Sequence, residues 1–149
     1  MPDDRGHLLQ AIELAERCPP SDTAFSVGAV VLGADGSVLA TGYSREADPH
    51  DHAEETALAK LDPADPRLAY ATIYSSLEPC SARTSHPVSC TRLILEAGIP
   101  RVVFAWREPA LFVDCEGAEL LRAAGREVVE MADLAPLVRR ANAHLPGVA

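Results

Sequence analysis

Three side chains suited to one zinc ion stand far apart in this chain, and any fold it adopts must bring them together. His52 lies in His52-Ala53-Glu54. Cys80 lies in Leu77-Glu78-Pro79-Cys80-Ser81, and Cys90 follows after nine further residues. One imidazole and two thiolates supply three of the four tetrahedral ligands of zinc, and a fourth position left to water distinguishes a catalytic site from a structural one. Glu54, two residues past the imidazole, is not needed as a ligand. It stands where a general acid/base would sit beside that water. One zinc per chain is therefore expected, held by His52, Cys80 and Cys90. The alternative is a closed structural site, which needs a fourth protein ligand. His86, inside the loop between the cysteines, is the strongest candidate, and His50, Cys18 and Cys115 are the others.

Hydrophobic patterning predicts where these residues fall. Leu8 to Arg17 reads as a helix, ended by Cys18-Pro19-Pro20. Phe25 to Leu32 reads as a buried strand. Ala34-Asp35-Gly36 is a turn, and Ser37 to Tyr43 returns as the second strand of a hairpin. After the polar loop Ser44 to Asp51, His52 to Leu61 is helical. Asp62-Pro63-Ala64-Asp65-Pro66 breaks it. Ala71 to Leu77 is a third strand, and Ser81 to Ser89 has a loop's composition. Cys90 to Ala97 is a helix closed by Gly98, and Arg101 to Trp106 is a fourth strand. Glu116 to Ala124 is a helix closed by Gly125, Arg126 to Met131 a fifth strand, and Ala132 to His144 a last helix. A hairpin followed by β-α-β crossovers implies an α/β fold in three layers, α/β/α, around one mixed sheet. One domain over residues 1–149 is expected.

His52, at a helix start, can reach a metal while Glu54 reaches past it. Pro79 suits a helix beginning, and Cys90 opens a helix. Helix N-termini lower thiol pKa values, so two such ends meeting at one ion would hold both cysteines as thiolates. All of these positions fall at the carboxyl ends of strands or at helix starts, where α/β sheets place their sites.

The net charge of −9 argues against duplex or long single-stranded nucleic acid as partner and favours a small molecule. No apolar run approaches the roughly 20 residues of a membrane span. The start, Met1-Pro2-Asp3-Asp4-Arg5, is unlike a signal peptide. A cytoplasmic protein with reduced cysteines is expected. Cys18 and Cys115 read as small core residues, and His7 and His144 as solvated or boundary residues. Phe25 and Trp106 are candidates for a pocket wall or for plain core.

The His-x-Glu and Pro-Cys segments resemble the zinc deaminase pattern, although the cysteine spacing is longer. The whole stretch from about Leu8 to His144 resembles the cytidine deaminase-like superfamily, and within it the pyrimidine deaminase domain of riboflavin biosynthesis. The matching segments are His52-Ala53-Glu54, Leu77 to Ser81, Arg83-Thr84, Leu93 to Ala105, and Val113 through Gly117 to Gly125. The resemblance implies a five-stranded mixed sheet between helix layers, one zinc per chain and a homodimer or larger assembly. It also implies hydrolytic deamination of an amino-pyrimidine-type heterocycle with release of ammonia. Glu54 would be the catalytic residue, with Phe25, Ser26, Ala53, Arg83, Thr84, His86 and Trp106 as substrate contacts.

Three segments depart from that family. Thr23-Ala24-Phe25-Ser26 precedes Val27-Gly28 where the family carries Pro-Asn-Pro. The family's two histidines and glycine after the first cysteine are absent. Arg107-Glu108-Pro109-Ala110 replaces its Asp-Pro-Asn-Pro. The expected substrate is the riboflavin-type pyrimidine or that of a relative recruited to another small-molecule pathway. Cytosine, a cytidine-type nucleoside or its monophosphate is the alternative. The expected form is a stand-alone deaminase without the reductase domain. The reading from another class is a non-catalytic zinc scaffold, in which Glu54 merely favours a helix start.

Overall fold

A computed structural model of the chain describes residues 3–81, 88–107, 109, 115–145 and 148. Helix α1 spans Asp4–Ala15, a turn earlier than the apolar pattern predicts. Its first turn is polar, but the Asp3 carboxylate accepts the Gly6 N–H at 3.0 Å and caps the helix. Leu8, Ala11, Ile12 and Ala15 form its buried stripe.

Strand β1 is Gly28–Leu32 and β2 is Val38–Tyr43. The predicted first strand began at Phe25, yet Phe25 to Val27 lie outside the ladder. There the backbone is paired by side chains. The Ser26 N–H donates to Asn142 Oδ1 at 2.6 Å, and the Val27 N–H to Ser44 Oγ at 3.0 Å. Helix α2 is Ala53–Ala59, followed by an unpredicted 3-10 turn, Pro66–Tyr70, capped by Asp65. Strand β3 is Thr72–Leu77, helix α3 Cys90–Ala97 and strand β4 Arg101–Trp106. Helix α4 is Gly117–Ala123 and β5 is Glu127–Glu130. The predicted last helix divides into a 3-10 turn, Ala132–Leu134, and α5, Ala135–Ala141. Pro136 has no N–H to continue a helix from the preceding turn, so it begins a new one.

The five strands form one mixed sheet in the order β2-β1-β3-β4-β5. β1 runs antiparallel to both β2 and β3, while β3, β4 and β5 are parallel. Alternation along the strands sorts the core into two halves. Ala29, Val31, Ile73, Leu77 and Val102 face the layer of α2, α3 and α4. Val30, Leu32, Tyr74, Val103 and Ala105 face α1 and α5. Covering both faces of the sheet is what buries β1 whole, and it accounts for the continuous apolar sequence of that strand. Among the described residues, no helix is long and apolar enough to cross a membrane.

Candidate metal centre and active site

His52 is the N-cap of α2, with extended backbone (φ −92°, ψ 158°). Its N–H is held by Glu55 Oε1 at 3.1 Å, so the third residue of the helix fixes the backbone that carries the imidazole. The helix lies tight on β2 because Gly42 has no side chain. A Cβ at Gly42 would fall 2.5 Å from the Ala53 carbonyl oxygen.

Cys80 sits just past the end of β3. The Glu78 N–H donates to the Trp106 carbonyl at 2.9 Å, carrying the contact with β4 one step beyond the strand. The Glu78 carboxylate, buried, accepts the Ala118 N–H at 2.9 Å in the first turn of α4. A Cβ at Gly117 would come within 2.0 Å of the Pro79 carbonyl oxygen, so glycine there permits α4 to rest on the ligand segment. Thr91 Oγ1 and Cys115 Sγ both donate to that carbonyl, at 3.2 and 3.3 Å.

Cys90 is the first residue of α3, as predicted, but Cys80 is not at a helix start. Pro79 to Ser81 carry no helix, and the expectation of two converging helix ends is corrected to one. A single N-terminus serves both thiols: the Cys90 N–H donates to Cys80 Sγ at 3.2 Å while Cys90 presents its own sulfur.

The three ligand atoms converge. His52 Nδ1 lies 3.6 Å from Cys80 Sγ and 3.4 Å from Cys90 Sγ, and all three atoms lie within 4.8 Å of one another. Zinc with ordinary bond lengths to nitrogen and sulfur in a tetrahedron requires N···S separations of roughly 3.6 Å. The donor set therefore fits the ion. The Cys80 thiol is held well below the ordinary thiol range, first by its hydrogen bond with Cys90 and then by His52, against the opposing effect of burial. Among the described residues this is the one group of three that could hold a metal. His50, Cys18 and Cys115 do not join it, and none of the four cysteines forms a disulfide. His86 lies outside the described residues.

Glu54, the second residue of α2, is buried, and Ser75 Oγ lies 3.2 Å from its Oε2. Burial, and then the charge of Cys80, push its carboxyl up to about 7. A carboxyl group titrating near neutrality both takes and returns a proton readily.

The remaining sequence-predicted contacts divide. Phe25 and Trp106 meet edge to face, with ring centroids 6.0 Å apart and planes at 87°. Trp106 ends β4 opposite Leu77 of β3, at the sheet end that carries Cys80. Ala53 is fully buried between ligand and base. Ser26 is tied into the scaffold: its hydroxyl accepts from Arg45 Nη2 at 3.0 Å, and Asn142 binds both its N–H and its carbonyl. Arg83 and Thr84 lie outside the described residues, as His86 does.

Sequence reasoning missed Glu55, Ser75, Asn142 and Arg45. Arg45 is a non-glycine residue at φ 61° whose guanidinium bonds Pro19 and Phe25 carbonyls, sewing the loop before His52 to the loop before β1. The signal for Glu55 was present as a glutamate three residues past the cap. Ser75 was signalled by a hydroxyl interrupting the apolar alternation of Ile73 and Leu77. Arg45 and Asn142 left no local signal, because their partners are distant in sequence.

Residues 1–106 match the family model described as the cytidine and deoxycytidylate deaminase zinc-binding region. The chain is 46% identical over 127 residues to a diaminohydroxyphosphoribosylamino-pyrimidine deaminase of Schizosaccharomyces pombe, a match that covers 83% of this chain and 31% of that protein. It is 36% identical over 129 residues to the riboflavin biosynthesis protein RibD of Aquifex aeolicus, covering 84% and 34%. The chain thus spans about a third of the length of these relatives. A crystal structure of a deaminase/reductase of the same pyrimidine chemistry from Thermotoga maritima superposes with a TM-score of 0.81 at 34% identity, covering 93% of this chain and 38% of that one. The Aspergillus oryzae Rib2 deaminase in complex with DARIPP superposes with a TM-score of 0.80 at 25% identity, covering 97% and 93%.

Proposed function

The chain belongs to the cytidine and deoxycytidylate deaminase family, and from that premise we propose that it hydrolytically deaminates an amino-pyrimidine, with the ribosylamino-pyrimidine phosphate of riboflavin biosynthesis as first choice. The observation that carries the reading is the buried Glu54 carboxyl beside three converging zinc ligands.

Bound zinc supplies a Lewis acid that lowers the pKa of water from ~15.7 toward ~7. His52, Cys80 and Cys90 are the residues that would hold it. Glu54 takes a proton from the attacking water and passes it to the ring nitrogen beside the carbon under attack. It then helps protonate the departing amine, so that ammonia leaves and a carbonyl remains. Phe25 and Trp106 supply an apolar wall that suits a flat heterocycle. Arg83 is the candidate for a substrate phosphate, since guanidinium binds phosphate bidentately.

The departure of Thr23-Ala24-Phe25-Ser26 from the riboflavin-type Pro-Asn-Pro supports the second reading, cytosine or a cytidine-type nucleoside. Ammonia release tests the two directly. The zinc-loaded protein is assayed on ribosylamino-pyrimidine with and without its phosphate, on cytosine, cytidine and deoxycytidylate, and on guanine and adenine. Highest kcat/KM on the phosphorylated pyrimidine is expected. Arg83→Ala should then raise KM for that form by about 2 kcal/mol of lost interaction and leave the dephosphorylated form nearly unchanged. Turnover of cytosine compounds alone would select the second reading. The enzyme is proposed to work in the cytoplasm as a homodimer or larger assembly. Light scattering that showed monomer alone at micromolar concentration would contradict the assembly.

A further inference from the structure

Ser75 stands where the alternation of β3 reserves a place for an apolar side chain. Ile73 and Leu77, two residues to either side, pack into the core under α2 and α3, and Ser75 shares their face with no exposure at all. A hydroxyl so placed is costly unless its hydrogen bonds are made. Two oxygens lie within reach, Leu77 O at 2.7 Å and Glu54 Oε2 at 3.2 Å. We propose that Ser75 is a positioning residue for Glu54, fixing the carboxyl group in the orientation from which it exchanges protons with substrate; this rests on the deaminase reading above.

The geometry suits that task. Glu54 is held at one end by the first turn of α2, while its carboxyl group is buried and needs a fixed partner to orient it. Ser75 is held by the middle of a five-stranded sheet, paired with Ala29 on one side and Phe104 on the other. A bond between the two ties the acid/base group to the central strand of the sheet. A hydroxyl also serves both protonation states through which a general acid/base passes. It donates to the carboxylate, and it accepts from the carboxyl while donating to Leu77 O instead. The second bond reaches the strand end that leads to Cys80, so one side chain registers the base against the ligand strand.

The test uses the zinc-loaded protein with Ser75→Ala, Ser75→Thr and Glu54→Ala. Ser75→Ala should keep one zinc per chain and a KM within about twofold, while kcat falls about tenfold or more. Ser75→Thr, which restores the hydroxyl, should return kcat to within about threefold of wild type. A thermal unfolding cycle reads the same contact without substrate. Ser75→Ala should lower Tm by at least about 2 °C more when Glu54 is present than in Glu54→Ala. Additive Tm shifts, wild-type kcat in Ser75→Ala, or a folded, zinc-loaded Ser75→Thr as slow as the alanine variant would each overturn the proposal. A wild-type protein inert on every amino-heterocycle would instead sink the deaminase reading, and the unfolding cycle would still decide the role of Ser75.

Discussion

Cys80 is buried, and its thiolate form depends on what surrounds it. A buried thiolate needs hydrogen bonds or charge nearby, and it has the Cys90 N–H, the Cys90 thiol and the His52 ring. Metal binding extends the same balance, because the ligands must be deprotonated to bind. Replacing Cys80, Cys90 or His52 by alanine should each abolish stoichiometric zinc and lower thermal stability, read by metal analysis and an unfolding scan on the same sample. A variant retaining full zinc would remove that residue from the ligand set. The ligands were legible in the sequence because few residue types bind zinc and their spacing is distinctive. Glu54 was legible for a different reason, because a carboxylate two residues past a ligating imidazole stands where a general acid/base would sit. Ser75 left only a hydroxyl interrupting an apolar alternation, and Arg45 and Asn142 left no local pattern, since their partners lie far along the chain.

Elements set the site by how closely they approach. Gly117 lets α4 rest on the Pro79 carbonyl, and Glu78 pins the first turn of that helix from the other side. Gly117→Ala should push α4 off the ligand segment, costing about 1–3 kcal/mol of stability and weakening zinc retention; unchanged urea unfolding and zinc content would refute the contact. Helix α1 is fastened differently. Asp4 takes a bidentate ion pair from Arg101 at 2.7 and 2.6 Å and the Tyr74 hydroxyl at 2.7 Å. Arg101 holds the Asp4 carboxyl below its ordinary 3.8, with Tyr74 assisting against partial burial. A depressed carboxyl pKa gives stability that is present above the unfolded value and is lost as pH falls through the folded one. Asp4→Asn should therefore cost about 1–2 kcal/mol near neutral pH, and the deficit should close in strong acid. A deficit independent of pH would show that packing, not charge, is responsible. The apolar stripe announced α1, but its first turn was hidden because a polar cap, not hydrophobic spacing, starts it. The last helix was over-extended because its composition stays helical across a proline that restarts the backbone.

In the whole molecule, the crossovers make β3, β4 and β5 parallel and gather their ends, so that Cys80 and Trp106 meet at one end of the sheet with His52 and Cys90 at helix starts. The layer order was readable from the alternation of element types, since crossover handedness leaves few arrangements. The register was not, because it depends on which buried residues face which helix. Residues 38 positions apart in sequence thus share one ion site, His52 with Cys90, and Glu54 lies buried beside them. The central claim is that Glu54 moves protons and does not bind the metal. Ammonia release from the preferred substrate by zinc-replete Glu54→Gln tests it most directly. The rate should fall at least ~10²-fold with zinc still bound, whereas a rate equal to that of the unaltered protein would contradict the mechanism.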